Sequence, residues 1–375
     1  MLIKNVAYYG EDFRFHFGDI TVKDGRFEAI EEKHRPDQAD VDYMIPGLVD
    51  IHLHGNSGAD FSDGRFDGLV KMAHFLAQAG TTSFSPASMT LPEEMIAAAF
   101  RSAVQLRHDA PQGCAALRGV TMEGPFFNEK KKGAQNGDYL KKPDADMFRR
   151  LQQKADGLIR IACVAPELEG AADFIREVSA TGVTVSAAHT NAAYDEAAAG
   201  FDAGITHVTH LFNAMPPLLH REPSVIGAAS ERDGVTAELI CDGVHAHPSA
   251  VRAAFKLFGP SRICLISDAM AACGLKDGES MLGGQKVFIK NGRATLADGT
   301  IAGSVATLFE CLATAISMGI PAQDAVRCAT ANPASVIGAT DIGGIAGGKR
   351  ADFLICGSDW TLKDVYIAGN KTERT

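Results

Sequence analysis

The stretch Pro46-Gly47-Leu48-Val49-Asp50-Ile51-His52-Leu53-His54-Gly55 decides the reading of this chain. An apolar run closes on two histidines one residue apart. Side chains alternate along a strand, so His52 and His54 are expected on one face and Ile51 and Leu53 on the other. Two imidazoles at the mouth of a strand can hold one divalent ion. A lone His-x-His is as often an ordinary half-buried pair. What moves the reading toward metal is that polar closure of apolar runs recurs down the chain.

Apolar or β-branched runs return at 48–53, 81–86, 119–122, 158–164, 183–188, 205–209, 236–240 and 263–267. Helical patterns lie between most of them: Phe66, Leu69, Val70, Ala73 and Leu76 keep helical spacing, as do Val305, Leu308, Phe309, Leu312 and Ile316. Pro248 suits the first position of a helix carrying Val251 and Phe255. Eight strands alternating with helices predict an α/β fold, a (β/α)8 TIM-like barrel over residues 46–349. The flanks read differently. Residues 1–45 give short strands with turns such as Lys23-Asp24-Gly25-Arg26, and residues 350–375 give strands near 352–356 and 365–368. Neither flank can bury a face alone, so a small β-sandwich built from both ends is expected. Residues 285–290 and 293–296, joined by Asn291-Gly292, read as a hairpin.

At 375 residues and 46% hydrophobic, the chain can bury a large core without staples. A net charge of -10 argues against nucleic acid or an anionic membrane as a main partner. A phosphorylated small molecule needs only a local cationic pocket and is not excluded. Met1 to Gly10 resembles a first strand rather than a signal segment, and no apolar run is long enough to span a bilayer. The eight cysteines are scattered without a Cys-x-x-Cys pair. Reduced thiols in the cytoplasm are the expectation.

In a barrel of this kind the reactive groups gather at the carboxyl ends of the strands. Strand 1 ends in His52 and His54, strand 3 in Glu123, strand 5 in His189, strand 6 in His210 and strand 8 in Asp268. Burying these without partners costs several kcal/mol each, and a shared ion resolves the cost. Singly, Glu123 and Asp268 could cap helices and His189 could be a satisfied core histidine; together they resist that explanation. His207, three residues before His210, is expected to face the outer helices. His16, His34, His74 and His108 are read as surface or structural.

On these residues the chain resembles the amidohydrolase superfamily, and within it the N-acetylglucosamine-6-phosphate deacetylase family. The motifs are residues 46–55, Glu-Gly-Pro-Phe (123–126), Ala-His-Thr-Asn (188–191), Thr-His-Leu-Phe-Asn-Ala-Met (209–215), Arg-Glu-Pro (221–223), Asp-Gly-Val-His (242–245) and Ser-Asp-Ala (267–269). The resemblance implies a metal held by Glu123, His189 and His210, with Asp268 as catalytic acid and base. It implies that Arg221 and His245 grip a substrate phosphate, Arg221 reaching from the neighbouring subunit of a homodimer. Asp242 belongs to the same motif as His245. Asn213 and Ala214, the 134–135 segment Ala134-Gln135, and the loop Ile301-Ala302-Gly303 are implied substrate contacts. The implied reaction is hydrolysis of the acetamide of N-acetylglucosamine 6-phosphate by a metal-activated hydroxide, Asp268 taking the water proton and returning it to the amine.

Two departures from the family pattern bear on this. The chain keeps both His52 and His54, so one or two divalent ions per subunit (Zn, Fe, Mn or Co) are expected, with Glu123 as a bridge. The fourth strand, residues 159–164, has no lysine for carboxylation, which disfavours a cyclic-amide hydrolase. Gln135 stands where some members have a histidine on the acetyl carbonyl; an amide donates a hydrogen bond but carries no positive charge. The alternatives are a deacetylase of another amino-sugar phosphate and a non-catalytic barrel scaffold.

Overall fold

The computed structural model describes residues 1–34 and 41–373. Eight parallel strand positions form the barrel: Leu48–Asp50, Thr81–Phe84, Ala116–Leu117 continued by Val120–Met122, Ile159–Val164, Thr184–Ala187, His207–Val208, Thr236–Ile240 and Ile263–Ile266. They are called the first to eighth strands below. The ring closes between the eighth and first strands, where the Asp268 N–H donates to the His52 carbonyl at 3.0 Å. Each strand position agrees with a predicted run, though most are shorter than their runs.

Packing explains why the strands are so apolar. Val49, Ile51, Ile161, Cys163, Ile240 and Ile266 are all buried in one cluster. They come from the first, fourth, seventh and eighth strands. Strands on opposite sides of a ring meet only through its interior, so this cluster fills the barrel axis. The short helix Ala331–Val336 adds Ala334 beneath it. Ile51 therefore lies inside, not on the face opposite the histidines. The regular first strand stops at Asp50, and strict alternation no longer holds across residues 51–54.

Outside the ring, Leu69, Met72, Ala73 and Leu76 form the buried stripe of helix Phe66–Gln78. Pro248 opens helix Pro248–Phe258. Helix Leu308–Ser317 starts at Thr307, whose side chain caps the Glu310 N–H while the Glu310 carboxylate returns to the Thr307 N–H. Val305, expected within that helix, precedes it.

The chain ends meet as expected. One seven-stranded sheet runs, edge to edge, through Asn370–Lys371, Leu362–Ile367, Phe353–Cys356, Tyr43–Pro46, Leu2–Tyr9, Phe15–Lys23 and Arg26–Glu32. One face sends Tyr9, Ile45 and Leu354 into the barrel's outer core. The other encloses its own core of Val6, Ile20, Phe27, Met44 and Phe353. The sheet curls until Phe27 lies 6.0 Å from Phe353 and its N–H reaches the Lys349 carbonyl at 3.0 Å. This small β module passes into the barrel through Gly47, where a Cβ would lie 2.1 Å from Thr82 Oγ1. Only glycine permits that approach.

After the eighth strand the chain makes a three-stranded flap, Gly278–Leu282, Gln285–Lys290 and Arg293–Thr295. Its second turn is Asn291-Gly292 with both φ angles positive, +52° and +73°, as the hairpin reading requires.

Candidate metal centre and active site

Four histidines aim one ring nitrogen at a common point because the other is tied down. The Nδ1 of His54 faces the Ala87 carbonyl at 3.2 Å, that of His189 the Lys131 carbonyl at 2.9 Å, and that of His210 the Asn213 carbonyl at 3.1 Å. The Nδ1 of His52 faces Glu238 Oε2 at 2.9 Å. Each acceptor lacks a proton, so Nδ1 carries one; Nε2 then either donates to the carboxylates between the rings or, on giving up its own proton, offers a lone pair to an ion. An acceptor behind Nδ1 fixes the tautomer and the direction in which a metal-binding imidazole points.

The four Nε2 atoms surround Glu123. Its Oε1 lies 3.1 Å from His189, 3.3 Å from His210 and 3.5 Å from His52, and its Oε2 lies 3.3 Å from His54. Asp268 Oδ1 stands 3.3 Å from His54 Nε2 and 3.9 Å from His52 Nε2. Two sets of ligand atoms are close enough to hold an ion: Glu123, His189 and His210, and His52, His54 and Asp268. The fit passes an independent check. His52 Nε2 is fully buried and has no hydrogen-bond partner. An orphaned imidazole nitrogen is costly unless something electrophilic meets it. Nitrogen and carboxylate donors together suit a divalent transition metal.

The local backbone serves this convergence. His189, His210 and Asp268 adopt left-handed backbone, with φ of +44°, +32° and +48°. For residues other than glycine such conformations cost of order 1–3 kcal/mol. They turn each side chain inward where its strand ends.

Electrostatics hold the charges in place. For Glu123 burial disfavours ionisation, but the surrounding imidazoles outweigh it and hold its pKa well below the carboxylate range. Burial likewise works against the Asp268 charge, and the His54 hydrogen bond outweighs it. Burial pushes the His189 pKa down, keeping that ring neutral.

A cleft of about 260 Å³ opens above these groups. Ala134, Gln135, Asn213, Ala214, His245, Ile301 and Gly303 line it with the metal-centre residues. Ala302 is buried behind the loop. Asp242 sits behind His245: Oδ2 lies 2.7 Å from His245 Nδ1, and Oδ1 accepts from the His245 N–H at 2.9 Å. Burial pulls the His245 pKa down, but the Asp242 bond and charge outweigh it and leave it raised. Arg221 is exposed and outside the lining of this cleft.

Gln135 lies against the metal-centre carboxylate. Its Nε2 donates to Glu123 Oε2 at 2.9 Å and its Oε1 accepts from the Thr90 N–H at 2.7 Å. The residue holds the Glu123 carboxylate from the wall of the cleft.

His207 corrects a second expectation. It is fully buried inside the ring, with Nε2 3.2 Å from Glu238 Oε1. The carboxylate on the adjacent strand draws it inward. Glu238 itself was passed over in the run Thr236-Ala237-Glu238-Leu239-Ile240. A charged residue inside a wholly apolar strand was the signal. Asp50 was also missed. Fully buried, it accepts from Ser267 Oγ at 2.5 Å and ties the first strand to the eighth beneath the histidines; burial raises its pKa to about 7. The flap brings Lys290 and Arg293 to an opening they share with Gly243 and Val244, next to His245.

Comparison with known proteins agrees with this geometry. Residues 43–372 match the amidohydrolase family. An N-acetylglucosamine-6-phosphate deacetylase of Bacillus subtilis is 36% identical, covering 99% of this chain and 96% of its own. An N-acetylgalactosamine-6-phosphate deacetylase of Escherichia coli O157:H7 is 31% identical over 93% of each chain. A mutant N-acetyl-D-glucosamine-6-phosphate deacetylase of Mycobacterium smegmatis, solved in complex with N-acetyl-D-glucosamine-6-phosphate, superposes with a TM-score of 0.92 at 33% identity, covering 100% of this chain and 99% of its own. The chain belongs to the amidohydrolase family and, within it, to the group of N-acetylglucosamine-6-phosphate deacetylases.

Proposed function

We propose that the chain hydrolyses the acetamide of N-acetyl-D-glucosamine 6-phosphate, releasing acetate and D-glucosamine 6-phosphate. The observation that carries this reading is the meeting of Glu123, His189, His210 and Asp268 under one cleft with His245 at its wall. A divalent ion bound there would supply Lewis acidity and so make water a nucleophile near neutral pH. Glu123, His189 and His210 would hold one ion; His52, His54 and Asp268 would offer a place for a second, and Glu123 faces both sets.

The residues then divide the work. Asp268, held ionised beside His54, takes a proton from the water whose oxygen bonds to the acetyl carbon. It returns that proton to the sugar nitrogen as the carbon–nitrogen bond breaks, so the amine leaves neutral. Gln135 keeps Glu123 from turning. Asn213, Ala214 and the loop at 301–303 enclose the sugar, and His245, protonated through Asp242, receives the phosphate. Lys290 and Arg293 add positive charge beside it. Arg221, exposed here, reaches the phosphate of a neighbouring subunit in a homodimer. Eight buried free thiols suit a cytoplasmic location.

The test is acetate release from N-acetylglucosamine with and without the 6-phosphate, for wild type and Arg221→Ala. Loss of the phosphate preference in the variant supports the reading, and equal turnover of both sugars by wild type overturns it. The Escherichia coli relative motivates a second substrate, the galacto epimer. A direct comparison of the two epimers decides between them.

A further inference from the structure

A second, larger cleft of about 380 Å³ opens at the other end of the barrel. It lies where the third and fourth strands begin, between the end of helix Glu93–Asp109 and the loop 337–341, and reaches Arg350 of the terminal sheet module. Four arginines line it: Arg107, Arg118, Arg160 and Arg350. Arg118 Nη1 pairs with Asp341 at 3.2 Å and Arg350 Nε with Asp352 at 2.8 Å. Four cations thus face two carboxylates, in a chain whose net charge is -10. Among the described residues Arg107 and Arg160 have no ion-pair partner, and Nη2 of Arg118 is buried without any acceptor. Gly119 makes room for this arrangement, since a Cβ there would stand 2.3 Å from the Arg160 Cγ. Unpaired guanidinium groups facing one concavity repel each other, and a buried donor without an acceptor costs free energy. A bound anion relieves both.

We infer that this cleft is a second binding site, taking a small phosphorylated molecule through its arginine forks. Guanidinium geometry matches phosphate oxygens two at a time. The volume falls in the range of small-molecule sites, and the position at a junction between modules is where such sites occur. No part of the metal centre lines it, so it is a site separate from the reactive cleft.

The probe is inorganic phosphate, titrated calorimetrically into the metal-loaded full chain at constant ionic strength. His245→Ala weakens the phosphate grip at the reactive cleft; Arg107→Gln with Arg160→Gln removes the free forks at the other end. The expected result is phosphate binding that survives His245→Ala and weakens about tenfold or more in the arginine double variant. Arg107→Lys with Arg160→Lys keeps the charge and the fold while losing the fork, and binding is expected to weaken there too. Binding that vanishes in His245→Ala, or that is unchanged in both arginine double variants, overturns the inference.

Discussion

Glu238 Oε2 stands 2.9 Å from His52 Nδ1, and the same oxygen accepts from the His210 N–H at 3.0 Å. One buried carboxylate thereby fixes a metal-facing imidazole and the backbone of another. Its second oxygen takes His207. Both of its oxygens are engaged inside the ring, and His52 and His207 hold its pKa low against the burial that would raise it.

Glu238→Gln is expected to damage metal binding without touching a ligand. One oxygen is exchanged for an amide N–H2, which faces N–H donors on one side or the other. Loss of the partner that orients a ligating imidazole weakens metal affinity about 10- to 100-fold, and an unpaired buried donor costs about 1–3 kcal/mol. Competition with a chelator reads the first effect and thermal unfolding of the metal-free protein the second. Metal retention equal to wild type would show that His52 needs no such support.

Asp268→Asn is expected to lower kcat by about 10²- to 10⁴-fold, the usual yield of general acid–base catalysis. Asparagine cannot accept and return the proton. The ion on Glu123, His189 and His210 should remain, because Asp268 belongs to the other ligand set. Metal analysis beside steady-state kinetics separates the two effects. A variant that turns over at the wild-type rate would remove Asp268 from the chemistry.

Residue identity at strand ends made much of this legible in advance. Each candidate ligand closes an apolar run, and a polar side chain there has few uses except chemistry. Glu238 and His207 were harder, because they lie within strands, where charge reads as an error unless its partner on the adjacent strand is known. Gln135 shows a different limit. Its place near the centre followed from sequence, but its direction depends on Thr90 and Glu123, which are far from it in the chain and meet it only in the fold. Likewise the four Nδ1 acceptors are mostly backbone carbonyls, which carry no sequence signature.

Gln135→Ala follows from that placement. Glu123 Oε2 and the Thr90 N–H both lose a buried partner, and the expected cost is about 1–3 kcal/mol of stability with weaker metal retention. Gln135→Glu should be worse, since a second carboxylate beside Glu123 Oε2 repels it. Denaturant unfolding of both variants checks the order. Equal stability of the two would mean that the contact at 2.9 Å is incidental.

The pH dependence should follow His245. Its pKa lies above the ordinary 6.5: burial lowers it, and the Asp242 hydrogen bond and charge more than restore it. The protonated ring donates from both nitrogens, one to Asp242 and one to phosphate. KM is therefore expected to stay low below that raised pKa and to climb as pH rises through it. Asp242→Asn removes the compensating charge and leaves burial in control. The pKa then falls and the climb in KM moves to lower pH. KM profiles for the two proteins test the sign; coincident profiles would exclude His245 as a titrating phosphate ligand.

Lys290 and Arg293 face each other directly across the Asn291-Gly292 turn. Like charges opposed in a hairpin are destabilising, by roughly 0.2–1 kcal/mol. Arg293 is also close enough to His245 to oppose its protonation. Folding alone favours neither arrangement, whereas an incoming phosphate gains from both. Arg293→Gln is expected to leave the fold as stable or slightly more so, while KM for the phosphorylated sugar rises several-fold and its dependence on salt becomes shallower. kcat should hold, because Arg293 does not touch the groups that move protons. Thermal unfolding, KM at low and high salt, and kcat together decide it. A variant that lost stability while keeping its KM and salt dependence would make the pair a structural element of the flap.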